Sequence, residues 1–240
     1  MIFAAGRGTR LGALGESTPK ALLEVGGRSM LEHAVGAVAA AGAKRVVVNV
    51  HHHAGLVERF VEEHDFGLEV ALSPEPERPL ETGGGLLHAR GFFRAGESIL
   101  MHNVDVLTDF PLRDLVARQE AGTALATLAM QERDTARQLL FDEAGLFGRE
   151  DRRDGSRREV RPPRGAVRAL AFSGIHACSP ALPGLITERG VFGIMDAYLR
   201  LAGEGHAIAP WVPPRGRWLE IGSLERLEAA RALLERGPNG

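Results

Sequence analysis

The run Arg45-Val46-Val47-Val48-Asn49-Val50 constrains the fold of this chain more than any other stretch. Its β-branched residues are continuous rather than alternating. A strand of that kind is covered on both faces, as in parallel sheets flanked by helices. The flanking sequence agrees. Ser29 stands before apolar residues at Met30, Leu31, Ala34, Val35 and Val38, which predicts a helix capped by Ser29 and stopped at Gly42. Beyond the run, Leu56, Val57, Phe60 and Val61 fall at helical spacing over about 55–64, and 68–72 reads as another strand. This alternation predicts an α/β fold, a Rossmann-like three-layer α/β/α sandwich with a mostly parallel mixed sheet.

A length of 240 residues suits one substantial domain of this class, and residues 1–240 are read as one. The formal net charge of −2 offers no bulk attraction to nucleic acid or to a membrane surface. No apolar run approaches membrane-spanning length, and the N-terminus does not resemble a signal peptide. A single cysteine, Cys178, excludes an internal disulfide framework and suits a reducing compartment, so a cytoplasmic location is expected.

The chemistry is concentrated at the start of the chain. Ile2-Phe3-Ala4-Ala5-Gly6-Arg7-Gly8-Thr9-Arg10 reads as a small-residue strand entering a glycine-rich loop, closed by Thr18-Pro19-Lys20. Glycines at 6 and 8 let the backbone approach a ligand closely, and successive N–H groups can then hold anionic oxygens. Arg10 adds a planar fork of donors suited to phosphate, and Lys20 a compact charge. Lys20 and Lys44 are the two lysines among 29 basic residues, so a lysine inside this motif is a hint that the position wants an ammonium. The spacing is neither the dinucleotide G-x-G-x-x-G nor a Walker loop. The bland alternative, a βα turn with surface arginines, stands level with the phosphate reading on G-x-G alone. Three consecutive histidines at 51–53 invite a metal, but consecutive residues leaving a strand point in different directions, which disfavours a shared ion.

Further along, Leu80-Glu81-Thr82-Gly83-Gly84-Gly85 offers close-range backbone groups able to read a flat base edge; taken alone it is equally a loop with a threonine cap. The strand from Ser98 ends in the carboxylate of Asp105. In open parallel sheets ligands gather beyond the carboxyl ends of strands, so Asp105 is the first candidate ligand for Mg²⁺. Asp109 is expected to cap a helix over 112–120, the alternative being support for the metal site from behind its ligands. The segment Arg149–Arg164, dense in arginine and acid, is expected to be an exposed loop or excursion, part of a charged excursion at about 131–165 on the acceptor side. A strand carrying Phe172-Ser173-Gly174 follows over 167–178, then a strand at 207–212, the stretch Arg217-Trp218-Leu219-Glu220-Ile221-Gly222, and an amphipathic helix over 224–234.

Taken together, A-A-G-x-G-x-R followed by P-K, then L-E-T-G-G-G, F-S-G and W-L-E-I-G, closely resemble the signature of the sugar-1-phosphate nucleotidyltransferases. The likeness is greatest to small single-domain members of the N-acetylmuramate 1-phosphate uridylyltransferase type. It runs from Met1 to about Leu234 and is weakest over 131–165. The resemblance implies the nucleotide-diphospho-sugar transferase fold and transfer of a nucleotidyl group from a nucleoside triphosphate to a sugar 1-phosphate. It implies nucleotide contacts at Ala5, Gly6, Arg7, Gly8, Thr9, Arg10, Lys20, Glu81, Thr82, Gly83 and Asn103, and sugar contacts at Asn103 and Gly174. Arg10, Lys20 and Asp105 are the implied catalytic residues, and Asp105 and Glu220 the implied Mg²⁺ ligands. Two departures stand out. Relatives read N-G-D where this chain has Asn103-Val104-Asp105, and W-x-D-x-G where it has Glu220. The second keeps a rival open, a non-catalytic nucleotide-sugar sensor on the same fold. A polyol-phosphate cytidylyltransferase shares the opening loop but not the later motifs.

Overall fold

The computed structural model describes residues 1–235. Two units divide the described residues, one formed by 1–80, 102–112 and 216–235, the other by 81–101 and 113–215.

In the first unit β1 (Ile2–Phe3) lies beside β2 (Arg45–Val50), which pairs with β3 (Glu69–Pro74). On its other side β1 meets the end of β4 (Ile99–Asn103). All these pairings are parallel: Phe3 stands opposite both Asn49 and Asn103, and β2 and β3 run in register from Arg45↔Glu69 to Val50↔Pro74. Val46, Val47, Val48 and Val50 are buried, as expected of a strand covered on both faces. The helix Met30–Ala40 starts with a capping box: Glu32 N donates to Ser29 Oγ at 3.1 Å and Ser29 N to Glu32 Oε2 at 2.7 Å. Two short ribbons complete the unit, Glu24–Val25 with Arg28–Ser29 and Val106–Thr108 with Trp218–Glu220. Asp109 does not serve the helix Leu112–Ala121 as expected, because Arg217 takes its carboxylate through both its backbone N–H and Nε.

In the second unit antiparallel pairing dominates. Its strands are β5 (Ala126–Gln131), β6 (Arg137–Asp142), β7 (Gly145–Asp151), β8 (Ser156–Glu159), β9 (Arg168–Cys178) and β10 (Ile208–Trp211). β9 lies antiparallel to β5 and β6, the β6-β7-β8 meander is antiparallel throughout, and β10 joins β5 in parallel. Strand pairing is thus mixed, as expected: the main strands of the first unit pair in parallel, while its two short ribbons are antiparallel.

The arginine-rich segment is exposed and is built as a ribbon rather than a loop. Residues 149–159 continue β7 and form β8, because their charges are matched across the ribbon. Arg157 meets Glu159 at 2.7 Å and Glu150 at 3.5 Å, Arg152 meets Asp134 at 3.0 Å, and Asp151 takes both Arg137 and Arg153. At the ribbon's base Arg161 grips Asp142 in a bidentate pair of 2.6 and 2.7 Å, and Arg164 N and Ala144 N donate to the same carboxylate. The Asp142 side chain has no exposed area, and these donors hold its carboxyl well below the usual carboxylate range.

Candidate active site

The chain leaves β1 at Ala4 and enters the glycine loop at once. Gly8 has φ 65°, a left-handed conformation that favours glycine, and its carbonyl accepts from Leu11 N at 2.8 Å to close a 3-10 turn over Thr9–Leu11. Gly15, in the short helix Ala13–Ser17, packs directly on this turn: a Cβ there would lie 2.3 Å from Gly8 O. A Cβ at Gly6 would meet nothing within 4 Å, so the loop is tight below and open above. Arg7, Thr9 and Arg10 are exposed around that open side.

Lys20 and Asp105 come together. Lys20 sits at the start of a 3-10 turn opened by Pro19, and its Cγ would lie 3.5 Å from a Cβ on Gly8. Its Nζ donates to Asp105 Oδ2 at 2.6 Å, with both side chains largely buried at 14 and 17% exposure. Asp105 O in turn accepts from Ile221 N at 2.7 Å, and Glu220 is the register partner of Val106, so the last motif runs alongside the first carboxylate. Arg10 reaches the same ribbon. Its guanidinium nitrogens lie 3.2 and 3.4 Å from where a Gly222 Cβ would stand, a close approach that a side chain at 222 would crowd. Glu220 is ion-paired through Oε2 to Arg226, six residues on. His102, next to Asn103, is buried with Nδ1 directed at Asn103 O at 2.8 Å; burial pushes its imidazole down to about 4, so it is neutral at pH 7.

Two residues at the loop's base escape notice in the sequence. Ala4 N donates to Asn49 Oδ1 at 2.8 Å, Asn49 Nδ2 donates to Glu75 Oε1 at 2.6 Å, and Leu80 N donates to Glu75 Oε2 at 2.7 Å. A lone asparagine in the valine run and a glutamate in an apparent charged turn are the available signals. Of the histidine triplet, His53 directs Nε2 at Glu16 O at 2.6 Å and leads the helix Ala54–Glu63.

The second unit holds the other predicted positions. Glu81 opens the helix Glu81–His88 at φ 60°, an uncommon conformation for a residue with a side chain. The amides expected to face a base are engaged within the protein: Gly83 N and Gly84 N donate to Phe192 O at 3.0 and 3.3 Å, and Ile194 N donates to Thr82 Oγ1 at 3.0 Å. A Cβ on Gly83 would lie 2.2 Å from the Phe192 ring, so this glycine admits an aromatic ring of the same unit. Gly174 has φ 75° inside a bulge, where the pairing of β9 with β5 jumps from Phe172↔Met130 to His176↔Leu128. Its neighbour Ser173 accepts from Gln131 Nε2 at 2.9 Å. The structure therefore gathers Gly8, Arg10, Lys20, Asp105 and Glu220 around one loop and one ribbon, while Glu81–Gly83 and Gly174 occupy separate elements of the second unit.

A part-buried cation–carboxylate pair against an open glycine loop at strand ends is the equipment of an enzyme that handles phosphate groups. The family profile Nucleotidyl transferase matches residues 1–139, and the chain belongs to that family. It is 31% identical to N-acetylmuramate alpha-1-phosphate uridylyltransferase of Caulobacter vibrioides over 98% of this chain and 96% of that one. It is 30% identical to the protein of the same name from Neisseria meningitidis, over 97 and 96%. Among solved structures, a UDP-glucose pyrophosphorylase from Acinetobacter baumanii superposes with a TM-score of 0.78 at 17% identity, over 99% of this chain and 93% of that one, which establishes the shared fold. Among the described residues no helix is long and apolar enough to cross a membrane.

Proposed function

We propose that this nucleotidyltransferase joins a nucleoside triphosphate to a sugar 1-phosphate, giving an NDP-sugar and pyrophosphate, with UTP and an N-acetylmuramate-type sugar 1-phosphate as the preferred pair. The Lys20–Asp105 pair against Gly8 carries this reading, and near-full-length similarity to two uridylyltransferases of that name supports the choice of substrates. The whole chain acts as one catalytic domain in the cytoplasm, where nucleoside triphosphates are made.

Both substrates are anionic, so the work of the site is to bring them together and neutralise them. An ionised oxygen of the sugar phosphate attacks the α-phosphorus in line, the bond to the bridging oxygen of the β-phosphate breaks, and pyrophosphate leaves. No protein nucleophile is required, and no base, because the attacking oxygen is already ionised. The loop from Ala5 to Thr9 holds triphosphate oxygens by backbone N–H groups, with Arg10 and Lys20 supplying positive charge. Asn103 and Gly174 serve the sugar, and Glu81, Thr82 and Gly83 border the base, with the Glu81 carboxylate and the Thr82 hydroxyl as the groups that reach it, since the amides of Gly83 and Gly84 donate to Phe192 O.

Magnesium fits this donor set. Asp105 uses Oδ2 for Lys20, and Oδ1 has no hydrogen bond among the described residues. No group of three or more His, Cys, Asp or Glu that could hold a metal occurs among them, so substrate oxygens and water would complete the shell. Bound there with help from Glu220, Mg²⁺ would neutralise charge on the phosphates. A non-catalytic sensor is favoured by one observation, the engagement of Glu220 by Arg226. Pyrophosphate release over a panel of nucleotides and sugar 1-phosphates separates the two. We expect release only when both substrates are present; binding of both without release would establish the sensor.

A further inference from the structure

We infer that Asn49 and Glu75 are positioning residues, a buried two-residue relay that fixes where the phosphate loop begins. The inference rests on the reading of Ala5–Arg10 as the triphosphate grip. Ala4 is the hinge between β1 and that loop, and its N–H is directed into the molecule at Asn49 Oδ1. Asn49 is 2% exposed and stands opposite Phe3, the last residue of β1. Its amide can accept from Ala4 only if its nitrogen faces the other way, towards an acceptor. Glu75, 8% exposed, supplies that acceptor through Oε1. Its second oxygen takes Leu80 N, the residue that precedes Glu81-Thr82-Gly83 in the chain, and its own N–H donates to Val50 O at 2.8 Å.

The order of donors and acceptors is therefore fixed from end to end. An N–H at 4 meets an acceptor at 49, a donor at 49 meets an acceptor at 75, and a second acceptor at 75 meets an N–H at 80. The asparagine amide serves as both acceptor and donor at 49, and the carboxylate accepts twice at 75. Any single reversal leaves a buried polar group facing its like, which is costly where water cannot compensate. The expected result of a break is a loop whose amides no longer converge, with weaker nucleotide binding.

Exchanging the two side-chain chemistries provides a control. Asn49→Asp alone sets two carboxylates against each other, and Glu75→Gln alone sets an NH₂ group against a donor. Combined, N49D/E75Q reverses the polarity of the middle link. The carboxylate now at position 49 accepts from Ala4 N and from the side-chain amide now at position 75, whose oxygen accepts from Leu80 N. All three hydrogen bonds return with the same net charge. The experiment measures nucleotide KM, kcat and thermal midpoint for the full-length wild type, both single variants and the double variant. We expect each single change to raise nucleotide KM by about tenfold or more and to leave the sugar phosphate KM within about twofold. The double variant returns nucleotide KM to within about threefold of the wild type. Single variants with wild-type nucleotide KM would overturn the proposal. So would a double variant that recovers its thermal midpoint but not its nucleotide KM, since the pair would then be structural only. A wild type that turns over no nucleotide would instead count against the functional reading on which the relay rests.

Discussion

Lys20 Nζ stands 2.6 Å from Asp105 Oδ2, across 85 positions of sequence, with both side chains mostly out of solvent. Each satisfies the other where an isolated charge would be costly, so the pair holds its geometry before substrate arrives. Lys20→Met and Asp105→Asn should each lower turnover by roughly 10²–10³-fold, the scale seen when one preorganised electrostatic partner is removed. Circular dichroism should remain that of the wild type. Near-normal rates in either variant would remove these residues from the chemistry.

Gly83 is demanded by Phe192. A methyl group at 83 would overlap the ring at 2.2 Å, and overpacking of this kind typically costs about 1–3 kcal/mol. Gly83→Ala should therefore lower the thermal midpoint by roughly 2–10 °C. Adding Phe192→Leu should restore part of the loss, whereas an unaltered midpoint in Gly83→Ala would show that the ring can move aside freely.

The Asp142–Arg161 pair sets an acid limit. Asp142 has its carboxyl held below its ordinary 3.8, chiefly by the Arg161 hydrogen bonds, so the folded protein binds fewer protons there than the unfolded chain. Its contribution is complete above that ordinary value and is lost as pH falls towards the lower folded one. Asp142→Asn should cost about 3 kcal/mol or more at pH 7. In urea titrations the gap between wild type and variant should narrow from about pH 5 to about pH 2; a constant gap would contradict the assignment.

Two buried imidazoles act in a neighbouring range. Burial lowers His102 to about 4 and His176 to about 3, from 6.5. Below 6.5 the unfolded chain takes up protons that the folded one refuses, so stability falls as pH drops from 6.5 towards 4. Replacing His176 with Phe should flatten that slope by up to about 1.4 kcal/mol per pH unit, whatever it does to stability at pH 7. An unchanged slope would show that the imidazole is not held neutral.

What is legible in the sequence is local. The β-branched run at 45–50, the Ser29 cap and the glycine loop depend on residues a few positions apart, and each forms as read. Long-range partners are not legible. Gly83 and Gly84 resemble ligand-facing amides because Phe192 lies more than a hundred residues on, and Asn49 looks like a polar interruption until Ala4 and Glu75 close around it. The arginine-rich stretch misleads for a related reason: net composition hides whether charges find partners across a ribbon, and here Glu150, Asp151 and Asp142 supply them.

The proposed reaction is nucleotidyl transfer with attack by the sugar phosphate on the α-phosphorus. The direct test is mass spectrometry of products formed from UTP and N-acetylmuramate 1-phosphate carrying ¹⁸O in its phosphate. The expected products are a UDP-sugar that retains all of the label and pyrophosphate that carries none. Label in pyrophosphate, or UTP recovered intact under conditions where both substrates bind, would contradict it.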